Sequence, residues 1–105
     1  MKIIFDQGTP LPLRVLLSRH DVFSLNYLGW SSLSNGQLLS RAESEGFHCL
    51  VTTDKNLKYQ QNLTTRQIAI FVLSTTNWTR IKPRALDIAA EIDQLIPGSY
   101  TEFSD

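Results

Sequence analysis

The sequence predicts a single α/β domain with a mainly parallel β-sheet. Segments rich in β-forming residues alternate with segments that show helical spacing, which is the pattern of strands joined by helical crossovers. The chain has 105 residues, the length of one ordinary domain. Hydrophobic residues make up 42% and charged residues 19%, so the chain has enough apolar surface for a packed core. We therefore assign residues 1–105 to one domain that folds on its own.

Runs of β-branched, aromatic and other apolar residues predict the strands. Four strands are expected at residues 2–5, 21–25, 47–53 and 67–73, and residues 99–103 form either a fifth strand at the sheet edge or an ordered tail. The third run is long enough to be a central strand. The continuous apolar run within the fourth predicts a strand that is buried on both faces.

The best-defined helix follows Ser34. Ser34 and Gln37 have the Ser-x-x-Gln spacing of a capping box, in which each side chain accepts a hydrogen bond from the backbone N–H of the other residue. Leu39 and Ala42 follow at helical spacing, and Gly46 is a typical helix stop. The pattern predicts a helix that begins after Ser34 and ends near Gly46.

The other helical segments are less regular. Thr9 is expected to cap a helix that tolerates two prolines in its first turn, because the first helical amides have no intrahelical acceptor. The buried stripe of this helix would consist of Leu13, Leu16 and Leu17. Residues 26–32 are expected to be a loop and residues 55–62 a short helix or turn. Pro83 is expected to open the last helix. Its buried residues would be Ala85, Ile88, Ala89, Ile92, Leu95 and Ile96.

The charged residues are unevenly distributed, although the formal net charge is zero. Residues 55–84 contain six bases and no acid, whereas residues 85–105 contain five acids and no base. The six bases are Lys55, Lys58, Arg66, Arg80, Lys82 and Arg84. Bases that alternate beside an aromatic residue such as Trp78 suit phosphate contacts next to a stacking surface. The stretch predicts either a nucleic-acid-binding surface or a solvated surface that keeps the protein soluble.

No segment predicts a membrane or secreted protein. The longest apolar run, Ile68–Leu73, has six residues, whereas a bilayer span requires about 20. The N-terminal apolar residues meet a charge at Asp6, too early for the apolar region of a secretory signal. We therefore expect a cytoplasmic protein without a membrane partner. The single cysteine, Cys49, is expected to be a buried apolar residue.

Several catalytic classes lack their sequence signatures. The chain has no Gly-x-Ser-x-Gly elbow, no Walker lysine loop and no Gly-x-Gly-x-x-Gly fingerprint, which argues against esterase, P-loop NTPase and dinucleotide-binding functions. His20 and His48 lack the spacing of helical metal ligands, and we expect them at the surface or at an edge of the sheet.

Asp6 and Asp54 each follow the end of a predicted strand. Ligands of parallel α/β proteins bind beyond the carboxyl ends of the strands, and we expect the first strand to lie beside the third, so that both carboxylates face one crevice. The helix after Ser34 begins at the same edge and would bring Asn35 and Gln37 toward the pair. Oxygen atoms of these four residues form a candidate Mg²⁺ site for phosphodiester chemistry. The alternative is that the two aspartates are turn residues without a ligand.

Three segments of the sequence resemble a known family. They are Ile-Ile-Phe-Asp-Gln-Gly-Thr-Pro at residues 3–10, Asn-Gly-Gln-Leu-Leu at 35–39 and Leu-Val-Thr-Thr-Asp-Lys-Asn-Leu at 50–57. The chain is similar to the PIN-like domains of bacterial proteins related to the VapC-type toxins, from residue 1 to about residue 73. The more specific parts of the resemblance are the strand followed by Asp and the Thr-x-Asp motif.

The resemblance implies a three-layer α/β/α sandwich around a mainly parallel sheet of four or five strands. It implies an acidic pocket for Mg²⁺ or Mn²⁺, with Asp6 and Asp54 as the catalytic residues, and endoribonuclease activity in active members. RNA would be the substrate and would contact the basic stretch. A small antitoxin-like protein is an expected partner, because such domains often lie beside a small antitoxin gene, and a second copy of the chain is another.

The chain differs from the usual pattern of the family at three positions. Relatives commonly have an Asp and a Glu at the start of the middle helix, where this chain has Asn35 and Gln37, and often an Asp where it has Asn56. Each replacement removes a negative charge from the pocket. Glu43 does not substitute for an acid at position 37, because it lies six helical residues later, about 9 Å further along the axis. Two functions are therefore expected. One is a metal-dependent endoribonuclease or toxin-like component with weakened activity, and the other is an inactive binding module for RNA or a small protein.

Overall fold

The computed structural model describes residues 1–104 and contains a five-stranded parallel sheet. The strands are β1 (Lys2–Phe5), β2 (Asp21–Ser24), β3 (Cys49–Thr52), β4 (Ala69–Leu73) and β5 (Tyr100–Phe103), in the order β2-β1-β3-β4-β5. Every pair of neighbouring strands is parallel. The predicted α/β class is confirmed, as are the central position of the third strand and its pairing with the first. The C-terminal segment forms a fifth strand at the edge.

Short helices and two 3-10 segments connect the strands. They are the 3-10 segment Leu11–Leu17, α1 (Leu25–Leu28), α2 (Asn35–Ser44), α3 (Leu57–Gln60), α4 (Trp78–Ile81), the 3-10 segment Lys82–Arg84 and α5 (Ala85–Asp93). Among the described residues, no helix is long and apolar enough to cross a membrane.

The sheet carries a hydrophobic core on each face. The 3-10 segment Leu11–Leu17 and α5 cover what we call the first face, and α1, α2 and α3 cover the second face. Successive strand residues alternate between the two cores, since Ile3 and Phe5 belong to the first face and Ile4 to the second. Helices on both sides of a parallel sheet make the three-layer α/β/α arrangement that we predicted.

The crossovers from β3 to β4 and from β4 to β5 have opposite hands. Both move one position in the same direction across the sheet, but the first passes over the second face through α3 and the other passes over the first face through α5. The connections that leave β1 and β4 therefore go to the first face, whereas the connection that leaves β3 goes to the second. Such divergence opens a crevice at the carboxyl ends of the strands, and β3 has one on each side.

The predicted capping box of α2 is confirmed. The Ser34 hydroxyl accepts the N–H of Gln37 over 3.3 Å, and Oε1 of Gln37 accepts the N–H of Ser34 over 3.0 Å. The predicted stop is also present, because Gly46 follows the helix with a φ of +81°. These local contacts fix where α2 begins and ends.

The segment after β1 differs from the prediction. It is a 3-10 helix that Thr9 does not cap, because the Thr9 hydroxyl donates instead to the carbonyl of Val51 over 3.0 Å. Pro12 disfavours the α conformation of the residue before it, Leu11, at the start of the segment. Leu13 and Leu17 are buried as predicted, but Leu16 is 39% exposed, because the segment contacts the core through a narrow stripe.

A helical turn, α1, lies where we expected a loop. The Ser24 hydroxyl caps it by accepting the N–H of Tyr27 over 3.2 Å, and Gly29 ends it with a φ of +75°. Trp30 is then buried against Phe47, with the ring centroids 5.7 Å apart. Four residues are too few to show helical periodicity in a sequence, so the turn was not predicted.

The last helical region begins earlier than predicted. Asn77 caps α4 by accepting the N–H of Thr79 over 3.0 Å, and Pro83 lies in the 3-10 segment between α4 and α5. Proline has no backbone N–H and therefore interrupts the α-helical hydrogen bonds at this point. Because α5 ends at Asp93, Ile96 lies outside the buried stripe and is 70% exposed.

Candidate functional site

Asp6 lies directly after β1, at the carboxyl edge of the sheet. Its backbone N–H donates to the carbonyl of Val51 over 2.9 Å, which extends the pairing of β1 with β3. Its carboxylate accepts two hydrogen bonds, from the N–H of Gln7 and from the hydroxyl of Thr52, each over 2.8 Å. The carboxylate is held in position while the residue remains partly exposed.

Thr52 connects Asp6 with Asp54. Thr52 is fully buried, and its hydroxyl donates to Asp6 and also accepts the N–H of Asp54 over 3.1 Å. Oδ1 of Asp54 accepts the N–H of Asn56 over 2.9 Å, which makes a local Asx turn. The two aspartates therefore lie at the same edge of the sheet, linked by one hydroxyl, and Asp54 also has the turn role that we gave as an alternative.

The loops that follow β1, β3 and β4 meet at this edge. Gly8, in the loop after β1, lies between the other two loops and has a φ of +87°. A Cβ atom at this position would lie 3.1 Å from Cγ2 of Thr76, after β4, and 3.5 Å from Oγ1 of Thr53, after β3. The positive φ and the close approach both favour glycine here. Residues from the loops after three strands thus surround the aspartates.

A cleft of about 380 Å³ opens beside Asp6, at the carboxyl ends of β1 and β2. Ser24 and Asn26 line the side of the cleft that belongs to β2. Neither was predicted as a site residue. Their position would have identified them, because Ser24 ends β2 and Asn26 lies just beyond it, at the same edge as Asp6.

The structure places the two predicted amide ligands on different sides of α2. Asn35 lies on the inner side of the helix, and its amide donates to Oε1 of Gln60 in α3 over 2.9 Å. Gln37 lies on the exposed side, and its carbonyl oxygen is used in the capping box. Asn35 therefore contacts the segment that follows Asp54, whereas the structure does not bring Gln37 to this site.

Lys55 and Lys58 lie beyond Asp54 along the carboxyl edge. Lys58 Nζ lies 2.7 Å from Oε1 of Glu102 in β5. Lys55 is exposed, and together with Glu102 it lines a small cavity of about 120 Å³ at the ends of β4 and β5. Charged side chains thus follow one another along the edge from Asp6 through Asp54 and Lys55 to Glu102.

The contacts of Glu102 shift three pKa values. Its hydrogen bond with Lys58 lowers the pKa of Glu102 and raises the pKa of Lys58. The hydroxyl of Tyr100 also donates to Glu102 over 3.0 Å. Burial, followed by this hydrogen bond, raises the pKa of Tyr100 to about 12. At neutral pH, Lys58 is therefore charged and the Tyr100 phenol is neutral.

Arg66 lies apart from the other predicted RNA-binding bases. It precedes β4, at the amino edge of the sheet, where it donates to Glu43 over 2.8 Å and to the hydroxyl of Ser40 over 3.0 Å. Glu43 also accepts the backbone N–H groups of Gln67 over 2.5 Å and Ile68 over 3.3 Å. This network joins α2 to β4, so Arg66 is held far from Asp6 and is not part of the site.

The remaining bases of the stretch follow β4. Arg80 and Lys82 are exposed, and the guanidinium of Arg84 lies over the ring of Phe103, 5.1 Å from its centroid. Trp78, which we expected as a stacking surface beside them, packs partly buried against the core of the first face. The indole is therefore part of the fold rather than a free surface for a base.

His20 and His48 lie at the amino edge of the sheet, as expected for residues without a role at the site. Nε2 of His20 lies 2.5 Å from Oδ1 of Asp93, and Nδ1 lies 2.8 Å from the α-amino group of Met1. Cys49 is buried, and burial raises its pKa to about 12, so the thiol behaves as an apolar core residue, as predicted.

Comparisons with known proteins identify no relative of this chain, since no family model, no curated protein and no solved structure matches it. Within residues 1–104, no group of three or more His, Cys, Asp and Glu side chains is suitably placed to hold a metal ion. The function is therefore inferred from the carboxyl edge itself.

Proposed function

We propose that this chain is a PIN-like, nuclease-type protein that acts on RNA with Mg²⁺ or Mn²⁺ as cofactor. The observation that carries the proposal is the link through the Thr52 hydroxyl, which joins the carboxylate of Asp6 to the backbone of Asp54 at the carboxyl edge. Ligands of parallel α/β proteins bind at this edge, where connections to neighbouring strands diverge. The resemblance of the strand-then-Asp and Thr-x-Asp segments to PIN-like domains supports the same function.

The oxygen donors at this edge fit a hard divalent cation. Asp6 and Asp54 supply carboxylates, and an oxygen that already accepts one hydrogen bond retains a second lone pair. Mg²⁺ usually keeps several waters and takes one or two carboxylates together with phosphate oxygens of the substrate. Asn35, on the inner side of α2, is the third candidate ligand.

Each residue at this edge would have a distinct role in the reaction. Asp6 and Asp54 would hold the cation, which, when bound, supplies an activated water for in-line attack on a phosphodiester. Thr52 would keep Asp6 in place, because its hydroxyl is oriented by the N–H of Asp54 that it accepts. Lys55 would hold a phosphate of the RNA by charge attraction. We also propose that the chain acts in the bacterial cytoplasm, as the toxin-like partner of a small antitoxin-like protein.

The test is cleavage of a labelled single-stranded RNA by the purified protein with and without Mn²⁺. Cleavage should stop on chelation, and Asp6→Asn should reduce it on the order of 100-fold. Asp21→Asn is the matched control, because it makes the same charge change at an exposed residue at the amino end of β2. RNA that stays intact at concentrations where an acid-complete PIN-like protein cleaves it would reject the enzyme.

A second candidate function is a binding module that binds RNA or a small protein without hydrolysis. It is favoured by the amides Asn35 and Asn56, and by the hydrogen bonds that already engage the Asp6 and Asp54 carboxylates. Thermal unfolding separates the two functions, because a cation at 100 times its Kd stabilises a fold by about 2.7 kcal/mol. A rise in Tm with Mn²⁺ that Asp6→Asn removes supports the nuclease, whereas an unchanged Tm supports the module.

A further inference from the structure

We infer that an unpaired base of the bound RNA stacks on the ring of Tyr59. This inference rests on the proposed function and adds to it a residue that contacts a base of the substrate. Tyr59 belongs to α3, the helix that follows Asp54. It is 77% exposed, as Tyr27 is at 78%, whereas Trp30 and most of the phenylalanines are buried.

The backbone beneath Tyr59 is firmly attached to the fold. Leu57 of the same helix is buried in the core of the second face, and Gln60 accepts the amide of Asn35 over 2.9 Å. Tyr59 therefore projects into solvent from an anchored helical turn. A ring held in this way loses little conformational entropy when a flat ligand stacks on it.

A lysine lies over one face of the exposed ring, so a base would stack on the other face. Nζ of Lys58 is 5.2 Å from the ring centroid of Tyr59, and the ion pair with Glu102 restrains it there. Proteins that bind single strands combine aromatic rings, on which bases stack, with cations that follow the phosphate backbone. Tyr59 and Lys58 supply this combination next to the candidate catalytic residues.

Lys55 connects the aromatic surface with the aspartates. It follows Asp54 directly in the chain and lines the cavity that also contains Glu102, the partner of Lys58. An RNA strand that lies along the carboxyl edge would thus meet the aspartates, then the ammonium of Lys55, and then the ring of Tyr59. The order of these groups matches a strand that places one phosphate at the aspartates and a nearby base on the ring.

Only an unpaired base can use the Tyr59 ring in this way. In an A-form duplex each base is stacked within the helix, and proteins contact the phosphates and the 2′-hydroxyl groups instead. Cations such as Lys55 would bind both forms of RNA, because both present phosphates. Tyr59 therefore distinguishes the two forms.

The experiment measures fluorescence anisotropy of a labelled oligoribonucleotide with the Asp6→Asn protein, so that cleavage does not interfere. Tyr59→Ala should weaken single-strand binding about tenfold, whereas Tyr59→Phe keeps the ring and should bind like the parent. Ile96→Ala is the control, because Ile96 is 70% exposed but precedes β5 at the amino edge of the sheet, and its loss should leave binding unchanged. Binding of the same RNA annealed to its complement should not respond to Tyr59→Ala.

A second readout reports stacking itself. An oligoribonucleotide that contains 2-aminopurine should lose fluorescence on binding to the parent, and Tyr59→Leu should remove this quenching. Equal single-strand binding by the parent and Tyr59→Ala would overturn the inference while the proposed function stands. A tenfold loss that affects single strand and duplex alike would also overturn it. A parent protein that binds no RNA would overturn both and point to a protein partner instead.

Discussion

The hydroxyl of Thr52 donates to Oδ2 of Asp6 over 2.8 Å, so a fully buried residue of the central strand orients a carboxylate at the end of the neighbouring strand. The same hydroxyl accepts the N–H of Asp54 over 3.1 Å. A buried group that loses such a partner cannot replace it with bulk water. One buried oxygen atom therefore adds a side-chain link between the two aspartates to the backbone pairing of β1 with β3.

Replacing Thr52 with valine should destabilise the fold by about 2 kcal/mol. Valine keeps the shape of threonine but leaves the N–H of Asp54 without an acceptor and removes one donor from Asp6. Thr52→Ser keeps the hydroxyl and loses one methyl group, so it should cost only about 0.8 kcal/mol. Urea unfolding of the three proteins measures both differences, and a valine variant as stable as the serine variant would show that the bridge contributes nothing.

Asn35→Asp should strengthen Mn²⁺ binding, because it adds a carboxylate on the inner side of α2, next to the segment that follows Asp54. Gln37→Glu makes the same change in charge two residues further along, on the exposed side of the helix, and should leave metal binding unchanged. Both variants should fold, since acidic residues are favoured in the first turn of a helix. Titration calorimetry with Mn²⁺ compares them, and equal affinities would show that Asn35 does not face the site.

Glu43 should make stability depend on pH in the acid range. Burial raises its pKa, but the hydrogen bonds from Arg66 and from the backbone of Gln67 and Ile68 together lower it below the ordinary value of 4.5. Because the pKa is lower in the folded state, the contribution of Glu43 is complete above pH 4.5 and is lost as the pH falls through the folded pKa.

At neutral pH the parent should therefore be more stable than Glu43→Gln by about 2 kcal/mol, and this difference should shrink at a pH well below 4.5. Glu45→Gln is the control at the end of the same helix, since Glu45 forms an exposed ion pair with Arg41 that is worth less than about 1 kcal/mol. Denaturant unfolding at both pH values gives the comparison. A difference between parent and Glu43→Gln that stays constant with pH would contradict the assigned role.

Alanine substitutions at Gly98 and Gly29 distinguish the effect of backbone strain from the effect of steric overlap. Their φ angles are +76° and +75°, so alanine should cost a similar 1 to 2 kcal/mol, roughly, at each position. A Cβ at position 98 would lie 2.9 Å from the carbonyl oxygen of Arg66, whereas nothing lies within 4 Å of a Cβ at position 29. Gly98→Ala should therefore destabilise by about 1 to 3 kcal/mol more than Gly29→Ala. Equal melting temperatures for the two variants would show that the Arg66 carbonyl moves freely.

Features that depend on residues close in sequence were predictable. The capping box of α2 needs only the side chains and backbone N–H groups of Ser34 and Gln37, which are three residues apart. The continuous apolar run of β4 indicated burial on both faces, and β4 is buried throughout. The same reasoning placed Asp6 and Asp54 at one edge, because the carboxyl ends of parallel strands point the same way.

Features that depend on long-range packing were not predictable from the sequence. The bases from Lys55 to Arg84 look like one basic stretch, but the connection through α3 returns the chain from the end of β3 to the start of β4, so Lys55 lies at the carboxyl edge and Arg66 at the amino edge. The partner of Arg66, Glu43, is 23 residues away in sequence. The link from Thr52 to Asp6 spans 46 residues and requires the strand register, which no local pattern specifies.

The two hydrophobic cores are completed at different times while the chain is synthesised. All buried residues of the second-face core lie between Ile4 and Val72, whereas the first-face core also requires residues from Ile81 to Phe103. When β4 leaves the ribosome, one side of the nascent sheet can already close, but the other side lacks α5, and Phe71 lacks its partner Phe103. At about 5 to 20 residues per second, the missing segment takes seconds to emerge. During that interval this open sheet face is the surface on which nascent chains can aggregate and to which a chaperone can bind.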